Sequence, residues 1–372
     1  MNLFNAFKIN GNLNYNDLFN DLNTKFLEDI KLISDIQDNI NISYLFDITN
    51  DSFIDYYLDN TFITFKSIKS NFLYLIYSNK YNSIISYNLN DNKKINEIKS
   101  AHNYKIKNFR HHIDEINKRD LVISVSYRDN NIKLWDIDLF ECILNIKKVN
   151  LDGAICSACF LYENYQYFII TSNLCTFFKG NIIEPIKVYD FKGNKIKEIK
   201  DSKESTFFID NYYDKKNNKN YILSCNKGHI KSYDYLENKL YHIYSDNNDS
   251  KIHYSLIINN KNEEVNIIES SEDGNIRIWN FHSGQLLNKI KINNVKLYGI
   301  CLWNNEYLFV GCEDMTIKII DLNNGIVIKN ISGHNSGVIS IKKIIHPEYG
   351  ECLLSQGALY DQIKLWKINF LK

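Results

Sequence analysis

The stretch that decides the fold is Glu264–Lys291, EVNIIESSEDGNIRIWNFHSGQLLNKIK. Two of its segments, Glu264–Ser270 and Asn275–Phe281, are rich in Ile, Val and aromatic residues, which favour β-strands. Between them stands Asp273-Gly274, a dipeptide typical of a hairpin turn because glycine adopts positive φ without steric cost. The stretch therefore predicts a β-hairpin.

Two further strands extend this hairpin. A turn at 282–284 leads into Gln285–Lys291, and Ile252–Ile258 stands in front of the first strand. Together they predict one four-stranded antiparallel unit. Such a unit cannot bury both of its faces alone, so it requires similar units on either side.

Those units are visible as a short recurring element: β-forming residues, then an aromatic or aliphatic residue, then in most copies Asp or Asn. The seven copies follow one another at intervals of 41 to 54 residues, and their aromatic or aliphatic positions are Tyr87, Trp135, Tyr189, Tyr233, Trp279, Ile320 and Trp366. A period of about 40–45 residues with four strands per unit is typical of a β-propeller blade.

Two dipeptides link this repeat to a known family: Trp135-Asp136 and Gly333-His334, with Ala101-His102 as a weaker copy of the second. With them the chain resembles the WD-repeat family from about Ser43 to its C-terminus. The resemblance implies an all-β fold, a seven-bladed WD-repeat β-propeller over residues 41–372.

The seventh blade lacks an outer strand in sequence order, because few residues follow its third strand at 366–368. Ser43–Ile48 is a strand without a partner ahead of the first blade. We assign it to the seventh blade, since closing the ring with both chain ends removes exposed sheet edges. The same overlap is implied by the resemblance to WD-repeat proteins.

Residues 1–40 are predicted to form an N-terminal extension with a short amphipathic helix. Its apolar stripe, spaced as on one helical face, consists of Leu18, Leu22, Phe26, Ile30 and Ile33. Two interpretations remain open: the helix docks on the propeller, or it binds a partner.

The resemblance also implies a structural hydrogen-bond network within blades. In the family pattern, the Gly-His histidine bonds the Asp of a tight turn, and a Trp and a second-strand Ser or Thr extend the network. The matching residues are His102, Asp129, Trp135, Ser271, Asp273, Trp279, His334 and Trp366. Asp361 stands one position late, so we expect the network to be incomplete in most blades.

An insertion in the third blade, residues 173–185, holds the candidate partner-binding residues Leu174, Phe177 and Phe178. Exposed aromatic residues are typical of binding hot spots. The insertion joins second and third strands, as does the turn with Arg128, so both should lie on one rim. The alternative is that these aromatics fold back as a local cap. A second long loop is expected at Asn211–Asn220.

Other chemistry-bearing residues point to no site. Cys156 and Cys159 lie in a predicted strand, where residues three apart face opposite sides, so buried thiols are expected instead of a zinc or redox site. His111-His112 lacks a metal-binding helix motif. Phe109-Arg110 resembles the Phe-Arg-Arg-Gly motif of phosphoinositide-binding propellers, but a single Arg is too little for a phosphorylated headgroup. The sequence predicts no catalytic residues, metal or cofactor.

Composition limits the class of partner. Lys+Arg and Asp+Glu are both 44, so the net charge is zero and nucleic acid is disfavoured as a partner. No signal-peptide pattern and no apolar run long enough for a membrane span is present. These features predict a cytoplasmic protein, with the nucleus as the alternative.

The function predicted from all this is a non-enzymatic scaffold or adaptor that presents propeller rims to one or more proteins. We expect a monomer within a larger complex. The alternatives are a phosphoinositide- or nucleic-acid-binding surface module, or a propeller enzyme with a central pocket.

Overall fold

The structure is a computed structural model. It describes residues 40–49, 61–126, 128–150, 155–172, 184–246, 253–261, 264–292, 294–359 and 361–370. Residues 43–368 form one compact unit. A second unit combines residues 1–42 with 369–372, and its described part is the start of the first strand and the end of the last. The predicted helix lies outside the described residues.

Twenty-eight strands of the described residues form seven antiparallel four-stranded sheets. The first strand, β1, is Ile40–Asp47. Blade 1 consists of β2 Phe62–Lys66, β3 Leu73–Ser78, β4 Ile84–Asn88 and β5 Lys93–Ile98. Blade 2 consists of β6 Ile106–Asp114, β7 Arg119–Ser126, β8 Asn131–Asp136 and β9 Glu141–Lys147. Blade 3 consists of β10 Ala158–Glu163, β11 Gln166–Thr171, β12 Lys187–Asp190 and β13 Lys195–Glu198.

The remaining blades repeat the pattern. Blade 4 consists of β14 Phe208–Asp214, β15 Lys219–Cys225, β16 Ile230–Asp234 and β17 Lys239–Tyr244. Blade 5 consists of β18 His253–Lys261, β19 Glu264–Ser271, β20 Asn275–Asn280 and β21 Leu286–Lys291. Blade 6 consists of β22 Leu297–Trp303, β23 Tyr307–Cys312, β24 Ile317–Asp321 and β25 Ile326–Ile331. Blade 7 consists of β26 Val338–His346, β27 Gly350–Gly357 and β28 Ile363–Phe370, with β1 as its outer strand.

The seventh blade is closed by the N-terminal strand, which confirms the seven-bladed propeller and the assignment of Ser43–Ile48. Its strand order is β1-β28-β27-β26. The backbone N–H of Ile48 donates to the carbonyl of Ile363 at 2.8 Å, and Lys364 forms an ion pair with Asp47 at 2.8 Å. No sheet edge of this blade is left open where the two chain segments meet.

Apolar side chains from adjacent blades share common clusters, which is why one blade needs its neighbours. Leu75 of blade 1 packs in one cluster with Leu354 and Leu365 of blade 7. Ile123 of blade 2 shares another with Ile169 of blade 3. The first strands of successive blades also lie side by side in cyclic order, from blade 7 back to blade 1. Hydrophobic burial between like sheets thus closes the ring.

The recurring Asp or Asn ends the third strand of a blade. Its side-chain oxygen accepts backbone N–H groups of the following turn, as when Asp136 accepts those of Asp138 and Leu139, both at 3.1 Å. The same turn follows Asn88, Asp190, Asp234, Asn280 and Asp321. Asp and Asn suit this position because their short side chains bond the backbone two residues on.

The expected long loop at Asn211–Asn220 is wrong. β14 continues to Asp214 and β15 begins at Lys219, so a four-residue turn joins them. Tyr212 pairs with Tyr221 across the two strands, and aromatic residues favour such pairing.

Strand alternation divides the connections between two rims. Rim one holds the turns between second and third strands together with the links from blade to blade. Rim two holds the turns between first and second strands and between third and fourth strands.

Candidate functional site

The structure brings His102, Asp129 and Trp135 of blade 2 together through Ser124. His102 Nδ1 lies 3.0 Å from Asp129 Oδ2, and its Nε2 lies 2.7 Å from Ser124 Oγ. Trp135 Nε1–H donates to the same hydroxyl at 2.7 Å. One consistent set of donors follows: Trp to Ser, Ser to His and His to Asp.

This Ser–His–Asp arrangement is buried, and its three side chains are joined by hydrogen bonds. Ser124 has no exposed surface and His102 is buried. Burial lowers the pKa of His102. Burial alone would raise the pKa of Asp129, but hydrogen bonds from His102 and from the N–H of Asn103 lower it. A substrate has no access to the Ser124 hydroxyl, so the geometry supports a structural role for the network.

Blade 7 holds the same network, and the expectation that the position of Asp361 leaves it incomplete is wrong. His334 Nδ1 lies 2.9 Å from Asp361 Oδ2, and its Nε2 lies 2.6 Å from Ser355 Oγ. Trp366 Nε1–H donates to Ser355 Oγ at 2.7 Å. Five residues separate β27 from β28, whereas four separate β7 from β8, so the aspartate that meets the histidine stands one position later in blade 7.

Gly333 has a steric reason to precede His334. Its φ is 138°, and a Cβ there would lie 2.9 Å from Trp366 Cη2. The glycine lets the Trp ring of the network pack against the backbone.

Blade 5 replaces the histidine network with charges, and Ser271 does not take the second-strand position that the sequence pattern assigned to it. That position belongs to Glu269, whose Oε1 accepts the Trp279 Nε1–H at 3.3 Å. Arg277 donates to Asp273 Oδ2 at 2.5 Å and to Asp246 Oδ2 at 3.0 Å. Ser271 Oγ instead accepts the backbone N–H of Asp273 at 3.4 Å. The turn of blade 5 is one residue shorter than that of blade 2, which displaces the pattern by one position.

One recurring position was not recognised from the sequence. It is a basic residue two positions before the repeated aromatic or aliphatic residue. It occurs in six blades as Lys133, Lys187, Lys231, Arg277, Lys318 and Lys364. Four of the lysines form ion pairs at 2.7–2.9 Å, with Glu184, Glu204, Asp314 and Asp47. Lys133 donates instead to the carbonyl of Ala101 at 2.6 Å. The fixed spacing from the aromatic residue was the signal that could have identified this position.

The structure describes one of the four candidate partner-binding residues. Leu174, Phe177 and Phe178 lie outside the described residues. Arg128 is exposed in the turn between β7 and β8 on rim one.

The remaining candidates are engaged in packing. Cys156 and Cys159 are both buried, and burial raises the pKa of the Cys156 thiol to about 12. Arg110 donates to the carbonyl of Ile209 at 2.9 Å and lies over the ring of Phe208. Among the residues that the structure describes, no group of three or more His, Cys, Asp or Glu is placed to hold a metal ion. Within the same ranges, no helix has the length and apolar character of a membrane span.

Comparison with known proteins finds a distant relative. No family model matches the chain. A 74-residue stretch is 23% identical to the U3 small nucleolar RNA-associated protein 21 homolog of Schizosaccharomyces pombe. The match covers 20% of this chain and 8% of that relative. The chain thus resembles a small part of a much longer protein.

Proposed function

Because this chain is a WD-repeat protein of the seven-bladed β-propeller type, we propose that it is a non-enzymatic scaffold or adaptor for protein partners. The observation that carries the proposal is the state of the polar networks in blades 2 and 7. Their serine, histidine and aspartate side chains are buried and hydrogen-bonded to one another. The chain can therefore use its rims for recognition while the networks hold the blades.

We propose that the chain acts as a monomer within a larger complex, in the nucleus instead of the cytoplasm. The relative named above is associated with a small nucleolar RNA. The cytoplasmic location expected from the sequence has no support from it.

We propose the third-blade insertion as the first contact with a partner, through Leu174, Phe177 and Phe178, with Arg128 on the same rim. Changing both phenylalanines to Ser in the full chain should remove the copurifying proteins from a native-cell preparation and leave the melting temperature unchanged. Phe72→Ser, an exposed phenylalanine on rim two, is the matched control and should keep the partners. Unfolding of the double variant would favour the local-cap interpretation, and retention of the same proteins would exclude this contact.

A further inference from the structure

Rim two carries an aromatic groove between blades 2 and 3. We define this aromatic groove by His112, Tyr162, Tyr167 and Phe191. The ring centroid of Tyr167 lies 4.3 Å from His112, 4.7 Å from Tyr162 and 5.8 Å from Phe191. Tyr162 is exposed, and the other three rings are partly exposed. The groove thus presents several aromatic surfaces at one place on the rim.

Tyr165 lies at the tip of the hairpin that carries Tyr162 and Tyr167. Asn164 and Tyr165 form its two-residue turn, with φ values of 49° and 62°. Positive φ at both positions favours Asn or Gly and disfavours a bulky aromatic residue. Residue 165 is nevertheless a tyrosine, and its side chain is 89% exposed. Burial of the ring therefore does not offset the strain of the positive φ. Residues held in sparsely populated backbone conformations cluster at active sites and ligand-binding sites.

Two acidic side chains, those of Asp114 and Glu115, act electrostatically on both His112 and Tyr167. Asp114 is paired with Arg119 at 2.9 Å, whereas Glu115 is exposed and forms no ion pair within the described ranges. Burial lowers the pKa of His112 to about 4, so its ring is neutral at physiological pH. A negative charge beside neutral aromatic faces attracts cations and repels phosphate.

We propose that the aromatic groove and Tyr165 bind an arginine side chain in an extended segment of a partner protein. A guanidinium group stacks on aromatic faces and pairs with a carboxylate, here that of Glu115. An RNA ligand would also stack on tyrosines, but its phosphates would meet the acidic side of the groove. The inference rests on the proposed adaptor function and names one surface and one chemistry for it.

The test uses the purified full chain and a fluorescent peptide of alternating glycine and arginine, followed by fluorescence anisotropy. The peptide should bind saturably and more weakly at higher salt. Tyr165→Gly should weaken binding by about two- to fivefold, since an exposed cation–π contact contributes about 0.5–1 kcal/mol. Its melting temperature should not fall, because Gly relieves the positive φ. Glu115→Gln should weaken binding by about two- to fivefold.

Control variants and control peptides distinguish binding at this groove from non-specific binding. Tyr81→Ser removes an exposed tyrosine on rim one and should leave the affinity unchanged. A glycine–glutamate peptide should not bind. Absence of arginine-peptide binding, equal binding by Tyr165→Gly, or tighter binding of a uridine oligonucleotide would each overturn the proposal. None of these results touches the adaptor role, which fails separately if no proteins copurify with the native chain.

Discussion

Blades 5 and 7 stabilise the same Trp position by different means. In blade 7, Trp366 binds a neutral hydroxyl that a histidine and an aspartate hold in place. In blade 5, Trp279 binds the carboxylate of Glu269, which is buried near Arg277. The charge in the blade 7 network is the Asp361 carboxylate, which also accepts the backbone N–H of Asn335 and so keeps a donor when the histidine is removed. The buried Glu269 carboxylate of blade 5 lies beside a cation, and a buried charge that loses its counter-charge is strongly destabilising. The two blades should therefore respond very differently to the loss of one partner.

The largest effect is expected from Arg277→Met in blade 5. The substitution removes a guanidinium group that lies 3.6 Å from the buried carboxylate of Glu269. Breaking a buried ion pair on one side destabilises by about 3–5 kcal/mol. The free energy of unfolding from urea titration measures this loss. Adding Glu269→Gln to the variant should restore part of the stability.

Lys133→Met is the matched control, because Lys133 occupies the same strand position in blade 2. Its ammonium group donates to the backbone carbonyl of Ala101, so its removal leaves no buried carboxylate without a cation. A loss below about 1 kcal/mol is expected. Equal losses in the two variants would show that the charge network of blade 5 contributes no more to stability than the hydrogen bond of Lys133.

Much of the fold could be predicted from residues that act locally. Asp273-Gly274 and the Asp or Asn after most of the repeated aromatic or aliphatic residues specify turns within a few positions, and the turns specify the strands. The closing strand followed from the missing edge of blade 7 alone. The loop predicted at Asn211–Asn220 failed because cross-strand pairing of Tyr212 and Tyr221 outweighed the polar composition of the stretch.

The polar networks were less predictable, because a one-residue difference in a turn changes which side chains meet. Counting positions predicted Ser271 for blade 5, but the shorter turn brings Glu269 to Trp279. The same counting predicted an incomplete network at Asp361. The turn of blade 7 is one residue longer than that of blade 2, however, and Asp361 bonds His334. Spacing in a sequence does not encode the path of a turn.

A smaller effect is expected from removing the histidines of the networks in blades 2 and 7. His334→Phe and His102→Phe each leave a buried serine and aspartate without one partner, which costs about 1–3 kcal/mol. Blade 1 separates these two blades, so the losses should add in the double variant. A loss in either variant as large as that of Arg277→Met would contradict the distinction between the histidine networks and the charge network of blade 5.

The smallest effect separates the networks by pH. Burial lowers the pKa of His102, so below about pH 6.5 the unfolded chain binds a proton that the folded chain resists. The free energy of unfolding should therefore fall as the pH drops from 7.5 to 5.5, by about 1 kcal/mol for such a histidine. Arg277 does not titrate in this range, and the pKa of Asp273 lies well below its usual value, so blade 5 contributes no such loss. His102→Gln should reduce the drop, whereas Arg277→Met should keep it. An unchanged drop in His102→Gln would instead assign it to His112 or His346, whose pKa values burial also lowers.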